Sequence, residues 1–260
     1  MKITLLLAAA LVASLPSASR AFEPEQDIDG LVKGIKSSRA LAIAEAPADT
    51  PGAGDYSDGY RMGLMSKFSV KGLVNKSGEG ELLLGQDSSI AYTGSGDSRV
   101  QINPWRFSAD QSKAAAANAL SGEYVVIKYH QSTFRNPLQR NTSYEMVELS
   151  RVDTASKPKT VCEAEGRGSS SEGFRVARIV KASSKGVATK SYEVMLQVGG
   201  TGNEFVDMGA PTDAMYECVV RWLKSGGKAK VWYTQSFFRN PLTRSTTYDI
   251  VKIEPLPSLD

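Results

Sequence analysis

The sequence predicts a mainly β protein in which one small five-stranded barrel, carrying a single helix, occurs twice in tandem. Three observations predict it. First, two blocks recur in the same order. Residues 131–144 (QSTFRNPLQRNTSY) and 235–248 (QSFFRNPLTRSTTY) are identical at ten of fourteen positions. Residues 57–79 and 171–193 are identical at ten of twenty-three, including Arg61/Arg175, Lys67/Lys181, Lys71/Lys185, Gly72/Gly186 and Lys76/Lys190. Self-similarity of this length marks a duplication. Second, apolar residues near these blocks alternate with a period of two, as in half-buried strands. Third, each copy holds one stretch with helical start and stop signals.

The elements follow in order. Lys71-Gly72 and Lys185-Gly186 each lie between two extended runs and are expected to turn the chain. Tyr192, Val194, Leu196 and Val198 alternate with Glu193, Met195 and Gln197, which gives a half-buried strand. Ser108 is expected to open a helix in the first copy, with Gln111 completing a capping box. That helix runs through the Ala114–Ala117 tract and ends before Gly122. Thr212 opens the matching helix behind Pro211, and Gly226 closes it. Val125, Ile127 and Tyr129, or Val231 and Tyr233, mark the next strand. An Asn-Pro turn follows, then a last strand near Tyr144–Leu149 or Tyr248–Ile253. Each copy therefore reads β-β-β-α-β-β. A helix between the third and fourth of five strands matches the OB-fold, a partly open barrel. An SH3-like barrel is the runner-up, with no natural place for that helix.

The flanks set the domain boundaries. Residues 1–21 read as a secretory signal peptide: Lys2, the apolar run Leu5–Leu15, Pro16, then Ser19 and Ala21 around Arg20. The run is shorter than the roughly 20 residues of a membrane span, so no transmembrane segment is expected after cleavage. Residues 22–55 form an acidic flexible arm, 56–152 the first copy, 153–171 a linker and 172–256 the second copy. Apolar residues make up 41% and charged residues 23%, ordinary for a globular protein. The formal charge of +3 divides unevenly: residues 22–58 carry −5 and residues 59–260 carry +6. A mature chain near neutrality lacks the basic footprint of a nucleic-acid binder, so nucleic acid is not expected as a partner. Export places Cys162 and Cys218, the two cysteines, where disulfides persist. One intrachain bond is favoured over two packed thiols. The expected location is periplasmic or secreted.

The first copy resembles a family of short bacterial proteins that are exported or membrane-tethered and have no established activity. The resemblance rests on YSDGYRMG (56–63), KFSVKG (67–72), KSGEGEL (76–82), WRFS (105–108) and the Tyr129, Pro137, Thr142, Tyr144 end. It spans nearly the whole copy and transfers no catalytic residue. The chain departs from that pattern by doubling the unit. Trp105-Arg106-Phe107-Ser108 has no clear counterpart in the second copy.

The chemistry read from the residues is binding, not catalysis. His130 is the single histidine, too little for a triad or a typical zinc site. No phosphate-binding glycine loop occurs. Glu79 and Glu81 fall on one face of an alternating strand and read as a solvated pair. No catalytic residue, metal ligand or cofactor is expected. An OB-like barrel would place Lys67, Lys71, Phe134, Arg135 and Arg140 along one rim of the first copy. Lys181, Lys185, Phe238, Arg239 and Arg244 would line the same rim of the second. Arg suits carboxylates and phosphates, and aromatics suit sugar or base faces. The expectation is a cell-envelope binding or adaptor protein for an anionic glycan, peptide or protein. The alternative is a structural tandem-barrel protein with no small ligand; a hydrolase is a distant third. The sequence leaves the oligomeric state open.

Overall fold

The computed structural model describes residues 55–71, 76–86, 104–133, 141–155, 158–168, 170–186, 190–199, 204–238 and 244–257. The signal segment, the acidic arm before Asp55 and both Asn-Pro turns lie outside the described residues.

The described chain is mainly β. The first half supplies β1 (Asp55–Lys71), β2 (Ser77–Leu84), β3 (Pro104–Asp110), β4 (Tyr124–Ser132) and β5 (Tyr144–Arg151). Strand β1 pairs antiparallel with β2 and with β4, β2 with β3, and β4 with β5. One parallel pair, Ser108 with Glu145, joins β3 to β5. The second half repeats this with β7 (Ser171–Lys185), β8 (Ser191–Val198), β9 (Glu204–Ala210), β10 (Lys228–Gln235) and β11 (Tyr248–Pro255). There the parallel pair is Gly209 with Asp249. Both long strands carry an irregularity at the same repeat position, Met65/Lys67 and Ile179/Lys181. An extra residue there bends the strand, so one end serves one neighbour and the other end serves the next.

A further pairing corrects the expectation of two separate barrels. Ser57–Arg61 of β1 lies antiparallel to Lys181–Lys185 of β7, so strands of both halves share one mixed sheet. The strand lengths explain it. At 17 residues β1 outruns its ladder with β2, and the remaining edge must find a partner. Gly59 permits the approach, since a Cβ there would strike the Ala182 carbonyl oxygen. Two apolar cores result. One gathers Met65, Leu82, Phe107, Ile127 and Met146. The other gathers Ile179, Leu196, Met208, Trp222 and Ile253, and it includes Met62 and Val126 from the first half.

The two helices differ. Helix α2 (Asp213–Ser225) follows the sequence signals. The Thr212 hydroxyl accepts from the Met215 N–H at 3.2 Å, and Gly226 closes the helix at φ 63°. Its Met215, Cys218, Val219 and Trp222 face the core. In the first half β3 runs on to Asp110, whose carboxylate accepts from the Ser112 N–H at 2.8 Å and caps a short 3-10 turn. Only then comes α1 (Ala114–Ala119). Ser108 is therefore not the cap. It is buried in β3, with its hydroxyl committed to Glu79 at 3.1 Å.

The stretch read as a linker contains β6 (Cys162–Glu163), which pairs with β11. Cys162 is bonded to Cys218 of α2 across 56 residues of sequence, as the two-cysteine count led us to expect. Closing a loop of that length removes unfolded-state entropy worth about 2–4 kcal/mol. Replacing both cysteines by serine is expected to lower the urea unfolding free energy by that amount; unchanged stability would contradict it. Among the described residues no helix is long and apolar enough to cross a membrane.

Candidate functional site

Arg61 sits in β1 where burial demands an apolar residue, and it is only 9% exposed. Its guanidinium carbon lies 4.7 Å from the Trp105 ring, 5.2 Å from Tyr144 and 5.4 Å from Tyr129. Strand pairing brings the four residues together from β1, β3, β5 and β4. The rings brace one another at centroid separations of 5.3–5.5 Å. The Tyr129 and Ser183 hydroxyls share a 2.7 Å hydrogen bond, which fixes one ring further. Cation–π attraction offsets part of the cost of burying the charge. Arg61 forms no ion pair among the described residues. Its Nε and the Trp105 Nε1 are buried donors with no acceptor there. Buried donors normally find partners; in the second half Arg175 Nε and Trp222 Nε1 are likewise buried without an acceptor among the described residues.

Arg61, Trp105 and Tyr144 help to wall a cavity of about 1180 Å³. Lys67 and Lys71 of β1, Glu79 and Glu81 of β2 and Arg106 of β3 line it too. The carboxylates are committed. Glu79 accepts from the Ser77 hydroxyl at 3.2 Å, the Ser108 hydroxyl at 3.1 Å and the Asn141 backbone N–H at 3.3 Å. Glu81 lies 3.6 Å from Arg106. Glu79 and Glu81 share the less buried face of β2, as the alternation predicts, and both are half-buried there in the cavity wall. Lys67 and Lys71 form no ion pair among the described residues. The cavity wall therefore carries surplus positive charge.

The second half holds the same positions in a self-neutralised form. Strand register matches Trp105 with Val206 and Ser108 with Gly209, so the counterpart of WRFS is Val206-Asp207-Met208-Gly209. Without the serine hydroxyl, Glu193, the counterpart of Glu79, takes Lys181 at 3.2 Å and Lys185 at 2.6 Å. Burial pushes the Glu193 carboxyl up, but the Lys185 hydrogen bond and the charges of Lys181 and Lys185 outweigh it. They hold the group below the usual glutamate range. Arg175 keeps Tyr233 at 5.9 Å but faces Glu204 at 3.8 Å. Arg244 lies 3.0 Å from Asp249, which also binds Arg167 at 2.6 Å.

Of the residues the sequence singled out, Lys67 and Lys71 line the cavity. Lys181, Lys185 and Arg244 are held in the ion pairs just described. Phe238 is largely exposed. Phe134, Arg135, Arg140 and Arg239 lie outside the described residues. His130 lies near the end of β4 with Nδ1 3.7 Å from Asp58. Sequence reasoning missed Arg61 with its three rings. The available signal was the identity of Arg61/Arg175, Tyr129/Tyr233 and Tyr144/Tyr248.

A family model described as a domain of unknown function, DUF8785, matches residues 54–156. No curated protein matches the chain. Among solved structures, the chain is similar to a deletion mutant of the single-stranded DNA binding protein from Thermus aquaticus. Identity is 12%, the match covers 80% of this chain and 98% of that one, and the TM-score is 0.24. For the wild-type Thermus aquaticus protein these values are 14%, 79%, 92% and 0.23. For a replication protein A heterotrimer bound to ssDNA they are 10%, 80%, 51% and 0.21. At such TM-scores the likeness carries no functional weight.

Proposed function

We propose that the chain is an exported, non-catalytic binding protein whose first half, an OB-like barrel, seats an acidic glycan on Arg61. The observation that carries this is an arginine nine-tenths buried, with its guanidinium among three rings and without a carboxylate among the described residues. A ligand carboxylate would supply the acceptor that Arg61 Nε and Trp105 Nε1 both lack, and Arg is built to hold one. The Trp105 and Tyr144 rings suit an apolar sugar face, and Lys67 and Lys71 suit further acidic groups. The ring order β1-β2-β3-β5-β4, with its helix between β3 and β4, supports the OB-like reading. The Cys162–Cys218 bond fits an oxidising compartment.

Calorimetric titration with an oligouronate and with its neutral analogue tests the reading. The acidic sugar is expected to bind, more weakly as salt rises. Arg61→Lys should weaken it at least about tenfold, because a fork of donors becomes a point charge. Arg175→Lys should leave it unchanged. Equal affinity for the neutral sugar, or tighter binding of a single-stranded oligonucleotide, would overturn the acidic-glycan reading.

A further inference from the structure

The seam between the two halves is heterologous: the first half offers a socket, and the second half fills it with a different surface. The socket is Tyr60 and Met62 of β1, Val126 of β4 and Val152 just beyond β5. Met62 and Val126 are 0% and 3% exposed because they belong to the second half's core. Lys224 near the end of α2 lies 4.8 Å over the Tyr60 ring. The turn after α2 is the plug. A Cβ on Gly226 would meet Val152 and Gln86, and Arg178 Nε donates to the Gly226 carbonyl at 2.7 Å.

Each half repeats the other's sequence plan, so each surface of the seam has a second edition at a free end. Register assigns the second socket. Phe174 stands for Tyr60, Val176 for Met62, Lys230 for Val126 and Leu256 for Val152. Phe174, Val176 and Leu256 are 53%, 44% and 37% exposed, whereas in the first half Met62 is buried and Tyr60 and Val152 are half-buried. Lys230 Nζ lies 4.4 Å over the Phe174 ring and 4.2 Å over the Trp232 ring. The second plug is the turn at Gly122, which has a positive φ as Gly226 does (82° and 63°) but nothing within 4 Å of an added Cβ.

The backbone tells the same story. Ser57–Arg61 pairs with β4 on one side and β7 on the other. Its counterpart Ser171–Arg175 pairs only with β10 among the described residues. Lys181–Lys185 pairs with β8 and β1. Its counterpart Lys67–Lys71 pairs only with β2 there. Among the described residues one free edge therefore sits on each half, and the two are the counterparts of edges that already pair within the chain.

We infer that the chain assembles head to tail with further copies of itself, the Phe174, Val176 and Leu256 socket of one copy receiving the Gly122 turn of the next. Copying the β1–β7 register places Glu172 opposite Val70 and Phe174 opposite Phe68. Unlike a two-fold contact, a heterologous one leaves a socket and a plug at the ends, so it propagates until it closes. Backbone pairing at a free edge supplies part of the association and the exposed apolar patch the rest. The inference goes beyond the binding reading and does not depend on it.

Sedimentation velocity of the full chain from about 1 μM to 1 mM tests it. The weight-average mass is expected to rise past that of a dimer. Val176→Asp, a substitution at an exposed position, should weaken association at least about tenfold. Val70→Cys chains mixed with Glu172→Cys chains should cross-link on mild oxidation, while either variant alone should not. The inference is overturned by a monomer at every concentration. It is also overturned by cross-linking of one variant with itself, which would mark a two-fold contact. A monomer in which Val176 is shielded from hydroxyl radicals would overturn it too, by showing that the chain's own residues before Asp55 cover the socket.

Discussion

Replacing Asp249 by alanine is expected to destabilise the protein by about 3–5 kcal/mol, the usual cost of leaving buried charge unpaired. Asp249 is 1% exposed and holds two guanidinium groups. Arg167 Nη2 donates to it at 2.6 Å and Arg244 Nη1 at 3.0 Å. The Arg167 backbone N–H and Nε add two more bonds at 3.0 and 3.2 Å. One carboxylate thus ties β11 to the segment that leads from β6 into β7 and to the residues that follow the Asn-Pro turn. Removing it strands Arg244, whose side chain is 11% exposed. Urea denaturation checks the number. Asp249→Asn should recover part of the loss, because an amide still accepts hydrogen bonds. A loss below about 1 kcal/mol would place Asp249 with ordinary surface pairs.

Arg61→Met should move stability the opposite way. The guanidinium has no ion pair among the described residues, so its removal relieves desolvation and leaves no partner stranded. Lost cation–π contact subtracts about 0.5–2 kcal/mol. A methionine of similar length packs against the same rings with a favourable sulfur contact. The net expectation is a gain of about 1 kcal/mol in the absence of ligand, together with loss of acidic-glycan binding. Stability and activity commonly trade in this way at binding sites. A fall in the urea midpoint would instead make Arg61 a structural keystone.

The two halves differ in how openly the sequence spells their parts. The matching strand pairing of the two halves was foreshadowed by the sequence blocks and lysines that recur at matched positions. Helix α2 was legible because Thr212 and Gly226 are unopposed cap residues. Helix α1 was misplaced because Ser108 and Asp110 both resemble caps, and only the strand partner Glu79 decides between them. The seam was hidden for a related reason. Periodicity assigns alternate residues to one face but cannot say that the second half's core takes up the other, so Met62 and Arg61 both end up buried. The site's outer lysines, Lys67 and Lys71, could be read from the repeat. Its centre could not, because the three rings around Arg61 come from Trp105, Tyr129 and Tyr144, far apart in sequence and joined only by pairing across the sheet. The contrast with the second half, where Val206 and Gly209 replace Trp105 and Ser108, likewise needed the register.

The most direct measurement follows the Arg61 Nε–H and Trp105 Nε1–H resonances by NMR while an oligouronate is added, with Arg61→Met fixing the assignment. Both signals are expected to shift together and saturate, while the Nε–H signals of Arg175 and Arg244 stay still. If the sugar binds while the Arg61 and Trp105 signals stay fixed, or if it moves the Arg175 and Arg244 signals instead, the assignment of the site to Arg61 is contradicted.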